Sequence, residues 1–417
     1  MGQNTWSRFN PWRDLSNLPR GVWVLFATTV VNRAGSMVLP FLTLYLTSSL
    51  GYSVAHAGFL VALYGAASLV ASPLSGRLCD RAGPVQVMMA SLFLSGTLLL
   101  LFPLARGTAS VVAAILGLAL VSEAFRPASL SITSGLVPPE RRRSAFALSR
   151  LAHNLGMSVG PAVGGFLVGR SFTSLFVVDG ATALSAGVIL AGSSLRRMPH
   201  VAGSSLGAVP SPEASRLHRP AHADPALLLF LVATMPVAVV FFQHVSAMPL
   251  YLVRDLHLSA STYGLLFTVN TVLIVFLEVP LNAAMRAWSH RRALASGAIL
   301  TGLGFGALAF ASGVTTVIAT VILWTFGEMV LFPGMAAYVA DVAPKGRSGE
   351  YMGLYTMTFG LAFTIGPALG ALILERYGGH VLWGAMFALA ALSAIMYARL
   401  RDARMSGNTT SNEGAGP

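Results

Sequence analysis

The sequence has few charged side chains for its length. They make up 10% of the 417 residues, whereas apolar residues make up 55%, and soluble chains carry about 25% charged residues. This excludes a water-soluble particle and a disordered chain. The one cysteine, Cys79, permits no intramolecular disulfide. No Gly-x-x-x-x-Gly-Lys phosphate loop occurs, which disfavours an ATP-driven pump.

Long apolar runs are what the chain has in abundance. A helix crossing a bilayer core of about 30 Å needs roughly 20 apolar residues, and we predict twelve such helices. The first run is too long for a cleavable signal peptide, so it is taken as an uncleaved span. The predicted spans are Gly21–Thr47, Ala57–Leu78, Val85–Leu104, Ala109–Val137, Ala145–Val168, Ser174–Leu195, Ala226–Val253, Thr262–Met285, Ala293–Ser312, Val314–Val342, Gly349–Leu374 and His380–Leu400.

The basic residues predict the orientation of these helices. With a cytoplasmic N-terminus, 20 of the 27 Lys and Arg residues fall in cytoplasmic segments and four outside, and Arg33, Arg126 and Arg150 lie within helices. This bias places both termini in the cytoplasm of a multi-pass inner-membrane protein. It also accounts for the net charge of +12 without any nucleic-acid partner.

A polar linker divides the chain. Residues 200–225 are rich in Pro, Ser, Ala and His and contain no long apolar run, as is typical of a linker. We therefore predict an N-terminal six-helix bundle at 1–195, a cytoplasmic linker at 196–225, a C-terminal bundle at 226–400 and a cytoplasmic tail at 401–417.

The two halves repeat at a constant offset of 206 residues. Tyr45 aligns with Tyr251, and Pro127 with Pro333. Gly160-Pro161 aligns in the same register with Gly366-Pro367. One register across several helices indicates duplication, and parallel six-helix repeats place a substrate site near the bilayer midplane.

Two short motifs are notable, one charged motif in a loop and one glycine-rich motif with a proline inside a helix. The loop after the second helix reads Gly76-Arg77-Leu78-Cys79-Asp80-Arg81-Ala82-Gly83. The fifth helix reads Gly156-Met157-Ser158-Val159-Gly160-Pro161-Ala162-Val163-Gly164-Gly165. Glycines four residues apart form one flat face for close helix contact, and Pro161 removes a backbone hydrogen bond.

Together these features resemble the major facilitator superfamily, specifically its twelve-helix drug:proton antiporter branch. The resemblance covers about residues 20–400 and implies two pseudo-symmetric six-helix bundles. It implies a cytoplasmic gate motif at Gly76, Asp80, Arg81 and Gly83, with Asp80 latching the cytoplasmic side through helix eleven. It also implies an antiporter motif at Gly156, Gly160, Pro161, Gly164 and Gly165.

Ionisable residues inside the membrane are the sharpest functional signal, because each costs about 2.5–3.5 kcal/mol to insert. Arg33 follows Asn32 in helix one, and Glu123 and Arg126 share a face of helix four. The second half contributes Gln243 and His244 in helix seven and Glu328 in helix ten. The resemblance implies that helices one, four, seven and ten line the cavity. Two alternatives remain open. Glu123 and Glu328 could each form a static ion pair that only fastens neighbouring helices together. His244 could serve as a hydrogen-bonded packing residue.

We expect Glu123 to be ionised beside Arg33 or Arg126 and to take up a proton when moved into an apolar wall. A substrate that competes with this proton gives exchange. The expected function is therefore proton-driven export of small amphipathic or polar molecules by a monomer, with no cofactor besides the proton gradient. The alternative is a proton-coupled symporter importing a peptide, sugar or other nutrient.

Two further classes are less favoured. The fifth helix contains Gly-x-Ser-x-Gly around Ser158, the pattern of a serine hydrolase. That chemistry needs a strand–turn–helix context, which a continuous apolar helix does not offer. A non-transporting receptor or scaffold is the other class.

Overall fold

The structure is a computed structural model that describes residues 18–138, 141–197, 221–285, 287–344 and 348–400. Within these ranges every regular element is helical. The helices are α1 (Arg20–Gly35), α2 (Val38–Ser48), α3 (Val54–Ala82), α4 (Pro84–Leu101), α5 (Thr108–Ser122), α6 (Phe125–Leu136), α7 (Arg142–Val168), α8 (Phe172–Ala191), α9 (Pro225–Phe241), α10 (Ala247–Leu250), α11 (Ala260–Ala284), α12 (His290–Ala307), α13 (Val314–Val342) and α14 (Ser348–Ala398).

Eleven helical segments of the described residues are long and apolar enough to cross a membrane. The last of them, Glu350–Ala398, has 49 residues and a length of roughly 70 Å, which is more than twice a bilayer core. Its helix is interrupted at Gly378, where φ is 78° and ψ is 177°. Counted as two spans joined at this glycine, it brings the described residues to the twelve predicted spans.

Side chains at the helix starts explain where several helices begin. Ser53, Ser171, Asp224 and Ser289 each accept a hydrogen bond from a backbone N–H in the following turn. Such caps satisfy N–H groups that the helix itself leaves unpaired. The starts of α3, α8, α9 and α12 therefore follow from local sequence.

Three spans predicted as continuous helices are broken. The first is interrupted between Gly35 and Val38, and the fourth at residues 123–124. The seventh passes through a 3₁₀ turn at Phe242–Val245 before α10. The hydropathy of these runs is continuous, so it does not reveal the breaks. They depend on partners from other helices, described below.

The described residues form two compact units. Unit 1 contains those up to residue 197 together with 257–271, and unit 2 contains 221–256 and those from 272 onward. Helix α11 thus contributes residues to both. The predicted domain bounds at 195, 225 and 400 stay predictions.

Unit 1 is held together by close helix contacts at small residues. Helix α1 packs on α7 and α8, and α4 packs on α8. A Cβ at Gly35 would overlap the side chain of Thr182, and one at Gly96 would lie 2.9 Å from the carbonyl oxygen of Gly180. Glycine at these positions therefore lets the backbones approach.

Unit 2 is built in a similar way around α12, α13 and α14. A Cβ at Gly304 or Gly327 would press against the backbone of α13 or α12, respectively. The Tyr251 hydroxyl donates to the Leu308 carbonyl at 3.0 Å. Its repeat-related residue, Tyr45, packs on Phe102, which aligns with Leu308 at the offset of 206.

Candidate functional site

Arg33 lies in the last turn of α1, immediately before the break in the first span. The helix ends because Ser36 adopts φ −67° and ψ 72°, which is not helical. The break leaves the backbone N–H groups of Met37 and Val38 without helical partners. An ionisable side chain thus lies next to two backbone donors that lack partners within a helix, of which that of Met37 contacts the Gly35 carbonyl at 2.6 Å.

Asp179 of α8 satisfies these two donors. Its Oδ2 accepts hydrogen bonds from the Met37 N–H at 3.2 Å and from the Val38 N–H at 3.0 Å. The side chain is buried, with 8% exposure. A carboxylate at the start of α2 also has favourable electrostatics with the helix dipole. Asp179 therefore joins α8 to the start of α2.

The Arg33 side chain is half-buried and its guanidinium lacks a full set of partners. Its Nε is buried with no hydrogen-bond partner among the described residues. The guanidinium carbon lies 5.4 Å from the ring centroid of Phe125, a cation–π distance.

Glu123 occupies the break between α5 and α6 in the fourth span. The Tyr64 hydroxyl of α3 donates to Glu123 Oε1 at 3.4 Å, which is long for an O–H donor. Arg126, three residues on, is exposed and carries the same positive charge as Arg33. Tyr64 was missed by sequence reasoning, although a tyrosine inside an apolar run was the available signal.

A cavity of about 100 Å³ lies within unit 1, with Arg33, Tyr64 and Asp179 in its wall but not Glu123 or Arg126. Its wall combines a few polar side chains with a larger apolar surface, as binding pockets do. The predicted residues Asn32 and Arg33 are part of it. The lining residues are Asn32, Arg33, Ser36, Val38, Leu39, Leu42, Tyr64, Ser91, Leu92, Ser95, Leu99, Ile115, Leu118, Ser122, Phe125, Asp179 and Ala183.

In unit 2, Gln243 is fully buried, with 0% exposure. Its Nε2 donates to the carbonyls of Val239 at 3.0 Å and Gly366 at 2.9 Å. Its Oε1 accepts from the Ser246 hydroxyl at 3.2 Å. The amide is therefore engaged in joining the broken seventh span to α14, which is a packing role.

His244 lies in an aromatic cluster of unit 2. Its Nδ1 is 2.6 Å from the Phe241 carbonyl oxygen, and its ring is 4.6 Å from that of Phe241. Trp324 is 6.2 Å away, and Glu328 follows it by one turn of α13 on the same face. These contacts favour the hydrogen-bonded packing role that was left open for His244.

The predicted gate motif lies where α3 meets α4. Gly83 has φ 91° and ψ 139°, a backbone conformation that favours glycine, and its N–H bonds to the Cys79 carbonyl at 3.0 Å. Arg81 is exposed, and a Cβ at Gly76 would meet open space. The side chain of Asp80 lies outside the described part of the structure, so the latch stays a prediction.

The predicted antiporter motif in α7 packs on the segment that holds Arg33. A Cβ at Gly156 would overlap the Arg33 Cβ, and one at Gly160 would lie 3.0 Å from the Arg33 carbonyl oxygen. Gly164 faces Met37 in the same way. On another face of α7, Gly165 meets the backbone of α11 and the Pro161 carbonyl meets Gly264.

Ser158 lies inside the same continuous helix. Its hydroxyl donates to the Leu155 carbonyl at 2.8 Å, a bond within one helical turn. A nucleophile elbow needs a sharp strand-to-helix turn that exposes the hydroxyl. The geometry of Ser158 is that of an ordinary helical serine.

The broken helices, the buried charges and the paired six-helix pattern define a polytopic membrane protein of the transporter class. A profile of the Major Facilitator Superfamily matches residues 24–251 and 230–416. The chain belongs to this superfamily, which consists of multi-pass membrane transporters and not of enzymes.

Two relatives show the range of the similarity. An uncharacterised MFS-type transporter of Bacillus subtilis, YqjV, is 26% identical over 377 residues, covering 88% of each chain. A protein of Planococcus maritimus named a Na(+), Li(+), K(+)/H(+) antiporter is 21% identical, covering 81% of this chain and 85% of its own.

The fold also matches solved structures. A POT family transporter in complex with 5-aminolevulinic acid superposes with a TM-score of 0.77 at 15% identity, covering 91% of this chain and 95% of that one. At this identity the likeness concerns the fold alone.

Proposed function

We propose that this protein exports small polar or amphipathic molecules in exchange for protons, by alternating access across the cell inner membrane. The supporting observation is that the ionisable side chains of Arg33 and Asp179 line a cavity in unit 1, with Glu123 directly after the lining residue Ser122 in the chain. Such groups inside a membrane mark ion and substrate pathways. The relative named as an antiporter is consistent with exchange.

Glu123 is the proposed proton carrier. It lies at a helix break, is half-buried, and is held by one long hydrogen bond from Tyr64. In the proposed cycle this carboxylate carries a proton in one state of the transporter and is free of it in the other. A substrate that occupies the carboxylate releases the proton again.

The remaining features of the proposal follow from this scheme. The proton gradient is the energy source, no further cofactor takes part, and the protein acts as a monomer with both termini in the cytoplasm. We do not propose inorganic cations, which the name of the relative from Planococcus maritimus mentions, as substrates of this chain. Arg33 places a positive charge in the cavity wall, which repels them.

One observation favours a second candidate, proton-coupled import. The Nε of Arg33 has no hydrogen-bond partner among the described residues, so an acidic substrate without an amino group is able to bind there. Such an acid binds better when Glu123 is protonated, because the repulsion between the two carboxylates is then removed. Substrate and proton would move in the same direction.

The test is the variant Glu123→Gln in reconstituted vesicles. A substrate is first identified by comparing the survival of cells with and without the protein on a panel of toxic compounds. We expect proton-driven transport of that compound to fall to background in Glu123→Gln, with normal folding and insertion. The matched control is Asp255→Asn, which removes an exposed acid that pairs with Arg254.

The direction of coupling is measured in the same vesicles. With an acidic interior, exchange draws substrate inward as protons leave, whereas symport moves substrate outward. Undiminished proton-driven transport by Glu123→Gln would remove this residue from the mechanism. Outward movement would replace exchange by the second candidate.

A further inference from the structure

Helix α7 carries two basic side chains on a face that its neighbours leave open. Arg150 and His153 are one turn apart, and both are exposed. Arg150 is the third residue of the span Leu148–Val168, so both side chains belong to a membrane-spanning segment. A charged side chain exposed within a span faces water and not lipid, because inserting a charge into lipid is costly. This face of α7 therefore borders an aqueous space.

A different face of α7 has the composition of a lipid-facing surface. Leu155, Val159 and Val163 are exposed at intervals of four residues. At about 100° per residue, Arg150 points about 140° away from Leu155, and His153 about 120° away from Val159. The exposed basic face and the exposed apolar face thus point in different directions.

Two more basic residues lie at the inner end of the basic face. A Cβ at Gly156, one turn after His153, would overlap the Cβ of Arg33, so α1 and α7 touch there. The guanidinium of Arg33 lies 5.4 Å from the ring centroid of Phe125, and the next residue, Arg126, is exposed. Arg126 is ten residues from the end of α6, about 15 Å, which is half the thickness of a bilayer core.

These four residues are named the basic strip: Arg150, His153, Arg126 and Arg33. The strip ends where α11 covers α7. The Thr268 hydroxyl donates to the Ser158 carbonyl at 2.8 Å, and from Ser158 to Val168 the sequence of α7 contains no ionisable residue. Glu123 adds a negative charge at the inner end, and the carboxylate of Asp179 accepts two backbone N–H groups of α2. The three arginines of the strip outnumber these two carboxylates.

We propose that the basic strip binds the anionic group of the transported molecule, so that the substrates are organic acids with a carboxylate or a comparable oxyanion. The inference rests on the proposed transport, in either direction, and names its substrate class. Guanidinium groups match the geometry of a carboxylate and bond to it through paired donors. The Nε of Arg33, without a hydrogen-bond partner among the described residues, is an unused donor at the inner end.

The order of the basic groups along the span also provides a path. At 1.5 Å per residue, His153 lies about 4.5 Å further into the span than Arg150, and Gly156 about 9 Å further. A cleft lined by charges of one sign raises the local concentration of the opposite ion. An anion that arrives at Arg150 is therefore drawn past His153 to Arg126 and Arg33 at mid-membrane.

A lipid phosphate is the other oxyanion found at the edge of a membrane. Headgroups lie outside the hydrocarbon core, so a lipid phosphate reaches Arg150 near the start of its span but not Arg126, about 15 Å inside. An organic acid that moves through the protein reaches both. The two arginines therefore distinguish the two sources of an oxyanion.

Benzoate and two analogues of similar size are the probes. Benzoate carries a negative charge, benzylamine a positive charge and benzamide none. The thermal unfolding midpoint of the purified full-length protein in detergent micelles is measured against the concentration of each probe at constant ionic strength. We expect benzoate to bind at least about tenfold more tightly than benzylamine or benzamide, because its charge is opposite to that of the strip.

Arg126→Gln is the diagnostic variant. It should weaken benzoate binding at least about tenfold, and Arg126→Lys should retain part of the affinity, because the charge stays and the fork of donors is lost. Arg150→Gln should weaken binding less, since Arg150 lies at the outer end. The matched control is Arg254→Gln, an exposed arginine of unit 2, which should leave all affinities unchanged. The midpoint without probe shows whether each variant is folded.

Two results would overturn the inference. The first is benzoate binding no tighter than that of benzylamine and benzamide in the unaltered protein. The second is unchanged benzoate binding in folded Arg126→Gln. If Arg150→Gln alone weakened the binding, the outer end of the strip would be assigned to lipid headgroups and the substrate class rejected.

These binding measurements need no gradient and no transport, so they separate the inference from the proposed function. Loss of proton-driven transport in Glu123→Gln with no preference for benzoate would sustain the transport proposal and reject the anionic class. A preference for benzoate that depends on Arg126, with undiminished proton-driven transport in Glu123→Gln, would support the basic strip and remove Glu123 from the mechanism.

Discussion

The first span of each half is broken at corresponding positions, and the two breaks are filled differently. Met37 aligns with Gln243 at the offset of 206. In unit 1, the freed N–H groups bond to a carboxylate from another helix, Asp179. In unit 2, the side chain at the break, Gln243, itself bonds to neighbouring carbonyls.

The side chains beside the two breaks differ in their chemistry. In unit 1, the break holds Asp179 beside a cavity lined by Arg33. In unit 2, the same place holds a neutral amide, and the aromatic rings of Phe241, His244 and Trp324 pack next to it. A carboxylate therefore fills the break in unit 1, whereas a neutral amide fills the break in unit 2.

The largest effect is expected from removing the carboxylate that fills the unit 1 break. Asp179→Ala removes the side-chain acceptor of two buried N–H groups, of which that of Met37 keeps a contact to the Gly35 carbonyl at 2.6 Å, and it removes the favourable charge at the start of α2. We expect the free energy of unfolding in mixed micelles to fall by about 3 kcal/mol. Asp179→Asn, which keeps an acceptor, should lose about 1 kcal/mol. Equal losses for the two variants would contradict the role of the hydrogen bonds that Asp179 accepts, because both variants lack the charge and only Asn keeps an acceptor.

A smaller effect is expected at the unit 2 break. A Cβ at Gly370 would overlap the Gln243 amide, so Gly370→Ala should destabilise by about 2 kcal/mol. Most of this loss should disappear in a Gln243→Ala background, where the overlapping atoms are absent. Gly353→Ala, whose Cβ meets open space, should change stability little. Additive effects of Gly370→Ala and Gln243→Ala would show that a side chain at residue 370 does not contact the Gln243 amide.

The smallest effect tests the polar core of unit 2 away from the break. The buried Tyr397 hydroxyl donates to Thr234 Oγ1 at 2.8 Å. Tyr397→Phe removes this bond and should lower the unfolding free energy by about 1 kcal/mol, with no change in transport. A loss of transport at retained stability would extend the functional site into unit 2.

Much of the fold was predictable because hydropathy and loop charge report directly on membrane spans. The segment Val314–Val342 was predicted to the residue. Arg33 and Asn32 were found by the cost of polar groups in lipid, and the structure places both at a cavity. Hydropathy, loop charge and polar residues within apolar runs are properties of short segments, so they can be recognised in a single sequence.

The remaining features depend on contacts between distant parts of the chain. Asp179 and Met37 are 142 residues apart, and no local pattern links them. Tyr64 reaches Glu123 across 59 residues. Sequence reasoning also grouped Gln243 with His244, although adjacent helical residues point about 100° apart. One is fully buried against α14, and the other packs on aromatic rings.

The glycine face of α7 has a mechanical consequence. Gly156 and Gly160 meet the main chain and Cβ of Arg33, not the flexible end of its side chain. Any tilt of α7 would therefore act directly on the backbone of Arg33, because no flexible side-chain atoms lie between the two helices at these glycines. The position of the Arg33 backbone is therefore tied directly to that of α7.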